Sequence, residues 1–210
     1  MCSLFGSTDK EEFFKLAKLN SYRGTHSHSV AAVGLYYQSL NMVAKGKGPL
    51  TRIELPENEH GYLYIGHQQA PTTEANDDNN IHPSESYGSL WHNGIIKAHQ
   101  VKQWQQDLAM DEAWDTALLQ AIIESNLGYE SLSGADGSFA CIHHLLGKVK
   151  MFRNDNCPLF VKGASFSSTE FDGSESIDSN VVYEFDNIKK NWNKTSITFE
   201  TKNKFFWSPE

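Results

Sequence analysis

The chain has 210 residues, with 18 basic and 26 acidic side chains that give a formal net charge of −8. Its hydrophobic content of 39% excludes a chain that is disordered throughout, and its acidic balance is unsuited to binding the phosphate backbone of nucleic acids. The sequence contains no run of about 18 apolar residues that could span a bilayer. We therefore expect a cytoplasmic protein without a nucleic-acid or membrane partner.

The first predicted elements are a short helix and two strands. Thr8 and Glu11 have the spacing of a capping box ahead of an apolar run, which indicates the start of a helix. Residues 61–67 alternate in the manner of a strand, and a second strand is predicted over 88–91. We expect this second strand to end at the Asn-Gly pair of positions 93–94, because Asn-Gly is typical of tight turns.

The second half of the chain is predicted to contain one helix followed by many strands. Helical spacing of apolar residues predicts the helix over 113–127. Short apolar runs bounded by Gly, Asn and Asp then predict strands at 139–145, 149–153, 159–162, 181–185 and 196–200. Such segregation favours an α+β fold with helices layered over largely antiparallel sheets. Because no Gly/Pro/Ser-rich linker divides the sequence, we expect residues 1–210 to form one domain.

The three cysteines do not suggest a disulfide framework. Cys2, Cys141 and Cys157 cannot all pair within one chain, and none belongs to a Cys-x-x-Cys motif. Cys2 is distinctive because a small side chain at the second position normally permits removal of Met1. The α-amino group that this removal would free has a pKa of about 7.7–8.0, which makes it a usable base at neutral pH.

Six stretches of the sequence carry a family resemblance. They are 2–6 (Cys-Ser-Leu-Phe-Gly), 22–27 (Tyr-Arg-Gly-Thr-His-Ser), 64–72 (Tyr-Ile-Gly-His, then Ala-Pro-Thr), 91–96 (Trp-His-Asn-Gly-Ile-Ile) and, more weakly, 114–118 and 136–140. In this order they resemble the glutaminase domain of the class II glutamine amidotransferases, which are N-terminal nucleophile hydrolases.

The resemblance implies a four-layer αββα sandwich with two largely antiparallel sheets. It also implies that the protein hydrolyses L-glutamine to glutamate and ammonia, and no cofactor is expected. A synthase domain follows the glutaminase domain in larger family members, and 210 residues leave no room for one. We therefore expect a separate ammonia-accepting enzyme as a partner.

By the same resemblance, the catalytic residues would be Cys2, Asn93 and Gly94. The thiol of Cys2 would attack the side-chain amide of glutamine, with its own α-amino group as base through a water molecule. The side-chain amide of Asn93 and the backbone N–H of Gly94 would donate to the tetrahedral oxyanion. Losing one such donor typically lowers the rate by a factor of about 10²–10³.

The resemblance also places groups at both ends of the substrate. Asp115 matches the family carboxylate that receives the α-ammonium group, and Thr72 ends the third stretch on the substrate-binding side. Gln69 stands where the family has the Arg that receives the α-carboxylate, and Gln is neutral and lacks the bidentate guanidinium fork. His26 and Ser29 replace a family Asp and Gly. These departures leave the identity of the substrate open.

Arg23, His67 and His92 are interpreted as supporting residues of the same site. A simpler interpretation of Asp115 is that its negative charge favours a helix N-terminus. The His-x-His pair at 26–28 could ligate a metal, but no further ligand has suitable spacing, so we expect no metal.

Two other functions fit the same residues. The chain could be a non-catalytic binding or regulatory protein that keeps the fold but has lost glutamine capture through Gln69. Alternatively, it could be an N-terminal cysteine amidohydrolase that acts on another amide. A retained Met1 would favour the binding protein, because it would block the α-amino base of Cys2.

Overall fold

Two β-sheets form the centre of the computed structural model, which describes residues 2–51, 53–70, 80–125 and 128–202. The helices are α1 (Lys10–Asn20), α2 (Ala98–Leu108) and α3 (Asp115–Glu124), with 3-10 turns at Ser21–Arg23 and Gly128–Leu132. The strands are β1 (Ser3–Ser7), β2 (Ser27–Gly34), β3 (Leu40–Lys47), β4 (Tyr62–Gln69), β5 (Ser84–Glu85), β6 (Ser89–Ile96), β7 (Gly137–Leu145), β8 (Lys148–Arg153), β9 (Phe160–Lys162), β10 (Ser165–Ser167), β11 (Glu175–Ser176), β12 (Val181–Asp186) and β13 (Asn191–Thr198).

The sheet topology brings distant segments of the chain together. Within the described ranges, one sheet has the strand order β11-β9-β10-β1-β4-β2-β3 and the other has the order β13-β12-β8-β7-β6-β5. Neighbouring strands in both sheets run antiparallel. In the first sheet, Leu4 of β1 lies opposite His67 of β4. In the second, Asn93 of β6 lies opposite Ala140 of β7.

Alternation of side chains along the strands creates three apolar layers. One layer lies between the sheets, a second lies between the seven-stranded sheet and α1, and a third lies between the six-stranded sheet and α2 with α3. Their members include Leu4, Ile65 and Trp91 in the first layer, Phe5, Phe13 and Leu16 in the second, and Leu90, Leu118 and Phe139 in the third. The predicted α+β sandwich with two antiparallel sheets is therefore confirmed.

The start of α1 differs from the prediction in one detail. The N-cap is Asp9 rather than Thr8, and the Asp9 carboxylate accepts from the backbone N–H of Glu12 at 2.8 Å. A carboxylate at the N-cap satisfies a free helix N–H and also interacts favourably with the positive end of the helix dipole. The helix is thus capped one residue later than the capping-box pattern at Thr8 predicts.

Other elements were predicted incompletely. The sequence patterns did not predict α2, whose buried side chains include the polar Gln100 beside Trp104. They also did not predict β2 and β3, which begin soon after α1. The strand predicted over 196–200 begins earlier in the structure, since β13 covers Asn191–Thr198.

Candidate active site

Cys2 lies immediately before β1, with 5% of its surface exposed. Its Sγ donates to the backbone carbonyl of Ala70, just beyond the end of β4, over 3.6 Å. Burial raises the pKa of the Cys2 thiol above its ordinary value. The sulfur is therefore protonated at neutral pH, and it needs a base before it can act as a nucleophile.

Arg23 holds the backbone of Cys2 rather than its sulfur. The Nε of Arg23 donates to the carbonyl oxygen of Cys2 at 3.1 Å. Arg23 ends the 3-10 turn that follows α1, and a Cβ on the next residue, Gly24, would overlap the backbone of Gln69 and Ala70. Glycine thus lets this loop approach the end of β4 closely, which places Arg23 against the backbone of Cys2.

The turn predicted at 93–94 is wrong. The strand β6 continues without a break from Ser89 to Ile96. Gly94 has a φ of +149°, and a Cβ at this position would overlap the carbonyl oxygen of Ser138 in β7. Glycine is required here because two strands approach closely, and not because the chain reverses.

The backbone around Gly94 shows where its N–H group points. The N–H of Ile95 donates to the hydroxyl of Ser138 on β7 at 3.3 Å, whereas the N–H of Ile96 donates to Asp115 Oδ2 at 3.1 Å. Alternate N–H groups of a strand point to the same edge. The N–H of Gly94 is therefore directed, like that of Ile96, to the edge of β6 that faces α3.

Asn93 is held between the two sheets. Its Nδ2 donates at 3.1 Å to the hydroxyl of Ser168, which also accepts from the backbone N–H of Leu4 at 2.9 Å. The thiol of Cys157 donates to the backbone carbonyl of Asn93 at 3.0 Å. Ser168 thus links Asn93 to the strand that begins beside Cys2. Sequence reasoning missed the roles of Ser168 and Cys157, because they lie 75 and 64 residues from Asn93 in the chain.

His67 lies on the face of β4 that packs against the second sheet, and it connects the two sheets. Its Nε2 donates to the backbone carbonyl of His92 at 3.1 Å, which joins β4 to β6. The His67 ring also packs against the His82 ring at an interplanar angle of 35°, with ring centroids 4.0 Å apart. Burial lowers the pKa of His67 to about 3, so the ring is uncharged at neutral pH. His67 and His92 are thus in direct contact, and their supporting role in the site stays a prediction.

A chain of polar side chains runs from β4 to α3. It passes from Gln69 to His82 over 3.3 Å, from His82 to the hydroxyl of Thr116 over 3.1 Å, and from Thr116 to His92 over 3.2 Å. Burial lowers the pKa values of His82 and His92, and Asp115 opposes the shift at His92. Sequence reasoning missed His82 and Thr116, although Thr116 adjoins Asp115 in the fifth motif.

The side-chain amide of Gln69 is bound by the protein itself. Its Oε1 accepts from the Ser27 hydroxyl at 2.9 Å and from His82 Nδ1 at 3.3 Å, while its Nε2 donates to the carbonyl of Asn80 at 3.1 Å. The position that matches the family Arg is thus occupied by a neutral, anchored amide. Thr72, the other residue predicted on this side, lies outside the described residues.

Asp115 is the first residue of α3, at the helix start where the sequence placed it. One carboxylate oxygen accepts from the N–H of Ile96 at 3.1 Å, and the other lies 3.4 Å from the Thr116 hydroxyl. The carboxylate therefore contacts the same edge of β6 toward which Gly94 directs its N–H. Both interpretations of Asp115, as a charge at the helix N-terminus and as a substrate ligand, fit this position.

The described residues contain no group of three or more His, Cys, Asp or Glu side chains arranged to hold a metal ion. In the His-x-His pair, His28 Nδ1 instead contacts the carbonyl of Gly48 at 3.0 Å. A cavity of about 570 Å³ lies between α1 and the loop before β4, and Gln68 is among its lining residues. Gln68 faces α1, so this cavity lies on the opposite face of β4 from His67.

Comparisons with known proteins agree with the geometry at the level of the fold. No family model and no curated protein matches the sequence. Among solved structures, the chain is similar to a glutamine phosphoribosylpyrophosphate amidotransferase from B. subtilis in complex with ADP and GMP, with a TM-score of 0.64 and 17% identity over 92% of this chain and 49% of that chain. It is also similar to an allosteric regulatory enzyme of purine biosynthesis, with a TM-score of 0.66 and 19% identity over 92% of this chain and 48% of that chain.

The chain therefore spans about half the length of the structures it matches. The likeness shows that this chain shares the fold of these two structures, which agrees with the predicted α+β sandwich of two antiparallel sheets. In the described part of the chain, every helix is too short or too polar to cross a membrane.

Proposed function

We propose that this chain is a glutaminase of the class II amidotransferase type, which hydrolyses the side-chain amide of L-glutamine through a thioester on Cys2. The observation that supports the proposal best is the link between the nucleophile strand and the oxyanion strand. Ser168 binds both the backbone of Leu4 and the side chain of Asn93, so the segments that carry Cys2 and Asn93 are held together across the two sheets.

The proposed reaction begins with removal of Met1, which frees the α-amino group of Cys2. This amine would take the thiol proton through a water molecule, a step that the raised thiol pKa makes necessary. The sulfur would then attack the γ-carbonyl carbon of the substrate. Collapse of the tetrahedral intermediate would break the C–N bond and release ammonia, leaving a γ-glutamyl thioester that water hydrolyses to a carboxylic acid.

The oxyanion would lie between Asn93 and Gly94. Donors that are already oriented stabilise developing charge without reorganisation during the reaction. The two hydrogen bonds that Ser168 accepts and the contact of Cys157 with the Asn93 carbonyl fix the position of Asn93. The extended, glycine-only conformation at Gly94 fixes its N–H in the same way.

The substrate ends would be recognised at Asp115 on one side and at Gln69 and Thr72 on the other. In this proposal the acidic Asp115 receives the α-ammonium group, and Arg23, His67 and His92 keep the surrounding backbone in place. The ammonia would pass to an acceptor enzyme on another polypeptide. We further propose that residues 1–210 act as one cytoplasmic domain without a cofactor.

A second candidate function is hydrolysis of another amide by the same nucleophile. It is favoured by Gln69, whose amide is engaged by Ser27, Asn80 and His82 where the family has a free guanidinium. The nucleophile chemistry is the same in both candidates, and only the recognition of the substrate differs.

The test is ammonia release from L-glutamine by protein whose intact mass shows that Met1 has been removed. Wild type should release ammonia, and Cys2→Ala should abolish the release. Cys141→Ala is the matched control, because Cys141 is a buried thiol on β7 whose side chain lies in the layer beneath the helices. Loss of activity in both variants, or equal activity in Cys2→Ala and wild type, would contradict a nucleophilic Cys2.

A further inference from the structure

The hydrogen-bonding capacity of Gln69 limits what this residue can offer a substrate. A Gln amide has two acceptor sites on its oxygen and two N–H donors. Ser27 and His82 occupy both acceptor sites, and Asn80 occupies one donor. At most one neutral N–H is then left for a ligand.

One neutral N–H suits a carbonyl oxygen better than a carboxylate. Recognition of a carboxylate by an Arg fork uses two parallel, charge-assisted bonds, each about twice as strong as a neutral one. An amide carbonyl needs a single donor and carries no charge that must be compensated. The position therefore favours a substrate whose group at this end is neutral.

The two histidines beside Gln69 do not restore the missing positive charge. Because Gln69 Oε1 only accepts, His82 must donate through Nδ1, and burial lowers the pKa of His82 well below its usual value. His67, whose ring packs against that of His82, is also uncharged at neutral pH, since burial lowers its pKa to about 3.

Two basic side chains of the described residues donate to backbone carbonyls in this region. Lys45 donates to the carbonyl of Pro83 at 3.3 Å, and Arg23 donates to the carbonyl of Cys2 at 3.1 Å. Each of these two basic groups thus already has a hydrogen-bond acceptor in the protein.

We propose that the substrate is a glutamine unit with a free α-ammonium group whose α-carboxyl is in amide linkage, as at the N-terminus of a peptide. This inference rests on the proposed function, because it uses Cys2 as the nucleophile and Asp115 as the ammonium ligand. It goes beyond that function by assigning Gln69 to the carbonyl of the following peptide bond. The hydrolysis itself is unchanged: the C–S bond forms, the γ C–N bond breaks, ammonia leaves, and water converts the thioester to a γ-carboxylate.

The experiment compares L-glutamine with L-glutamine α-N-methylamide, which differ only in the charge and substituent of the α-carboxyl group. Only the γ-amide of either compound can release ammonia by the proposed reaction. With matured wild-type protein, we expect kcat/KM for the N-methylamide to exceed that for L-glutamine by about tenfold or more, a factor of ten being 1.4 kcal/mol. Cys2→Ala, which lacks the nucleophile, should bind the N-methylamide more tightly than L-glutamine, by about tenfold or more, as measured by calorimetry.

Gln69→Arg should reverse the preference toward L-glutamine. Gln103→Arg is the charge-matched control, since Gln103 lies exposed on α2 and should leave the wild-type ratio unchanged. A wild type that prefers L-glutamine, or that does not distinguish the compounds, would overturn this inference while leaving the proposed glutaminase intact. Hydrolysis and binding of neither compound would overturn both.

Discussion

The two halves of the candidate site differ in how closely they follow the family pattern. The proposed nucleophile half, formed by Cys2, Arg23, Asn93 and Gly94, keeps the residue types of the motifs. Arg23 binds the backbone of Cys2, and the side chain of Asn93 binds the Ser168 hydroxyl. The proposed recognition half contains Gln69, His82, Thr116, His92 and Asp115. Here Gln69 stands at the position of the family Arg and is joined to a chain of uncharged side chains, His82, Thr116 and His92. The comparison indicates that close packing restricts the residue types of the nucleophile half, whereas the charge of the recognition half can vary on the same fold.

In the nucleophile half, the position with the least space for a side chain is Gly94. Gly94→Ala would place a Cβ against the Ser138 carbonyl in a backbone conformation that L-residues rarely adopt. We expect a loss of about 3 kcal/mol or more in the free energy of unfolding, measured by urea denaturation, together with loss of activity.

The control for this prediction is Gly46→Ala. A Cβ at Gly46 would meet only the His28 ring at 3.8 Å, an ordinary contact distance. Equal stability of the two variants would show that Gly94 is not constrained by its neighbour.

In the same half, Asn93 is the residue whose side chain is proposed to take part in the reaction. Asn93→Ala removes the proposed side-chain donor to the oxyanion, and we expect kcat to fall by a factor of about 10²–10³ with a smaller change in KM. Ser168→Ala keeps the amide but removes the hydroxyl that positions it, so its effect on kcat should be smaller, about tenfold. A larger loss in Ser168→Ala than in Asn93→Ala would contradict this assignment.

The recognition half and the adjoining His67 should respond to pH, because together they bury three uncharged histidines. The folded-state pKa of His67 is lowered to about 3 by burial, and burial also lowers the pKa values of His82 and His92. Between pH 6.5 and these lower values the unfolded chain binds more protons than the folded chain, so stability falls as pH falls below about 6.5.

His82→Asn should make this pH dependence shallower, by up to about 1.4 kcal/mol per pH unit. The measurement is urea denaturation at pH 7, 6 and 5, with His99→Asn as control because His99 is exposed on α2. The same slope in His82→Asn and wild type would show that His82 does not titrate on unfolding.

The sequence predicted much of the fold and only part of the site, for physical reasons that differ. The six motifs are local, and a local pattern can indicate Cys2, Asn93 and the start of α3 at Asp115. The Asn-Gly pair was misassigned because the constraint on Gly94 comes from Ser138 of β7, a contact that no local pattern contains. Ser168 and His82 were missed for the same reason, since their partners come from strands brought together by the sheet topology.

Whether Cys2 is the nucleophile that attacks a glutamine side-chain amide can be tested by intact-mass and peptide mass spectrometry after incubation with a diazoketone that mimics glutamine. We predict a single covalent adduct on Cys2 of protein lacking Met1, with Cys141 and Cys157 unmodified. The absence of an adduct on matured protein, or an adduct on Cys157 with none on Cys2, would contradict it.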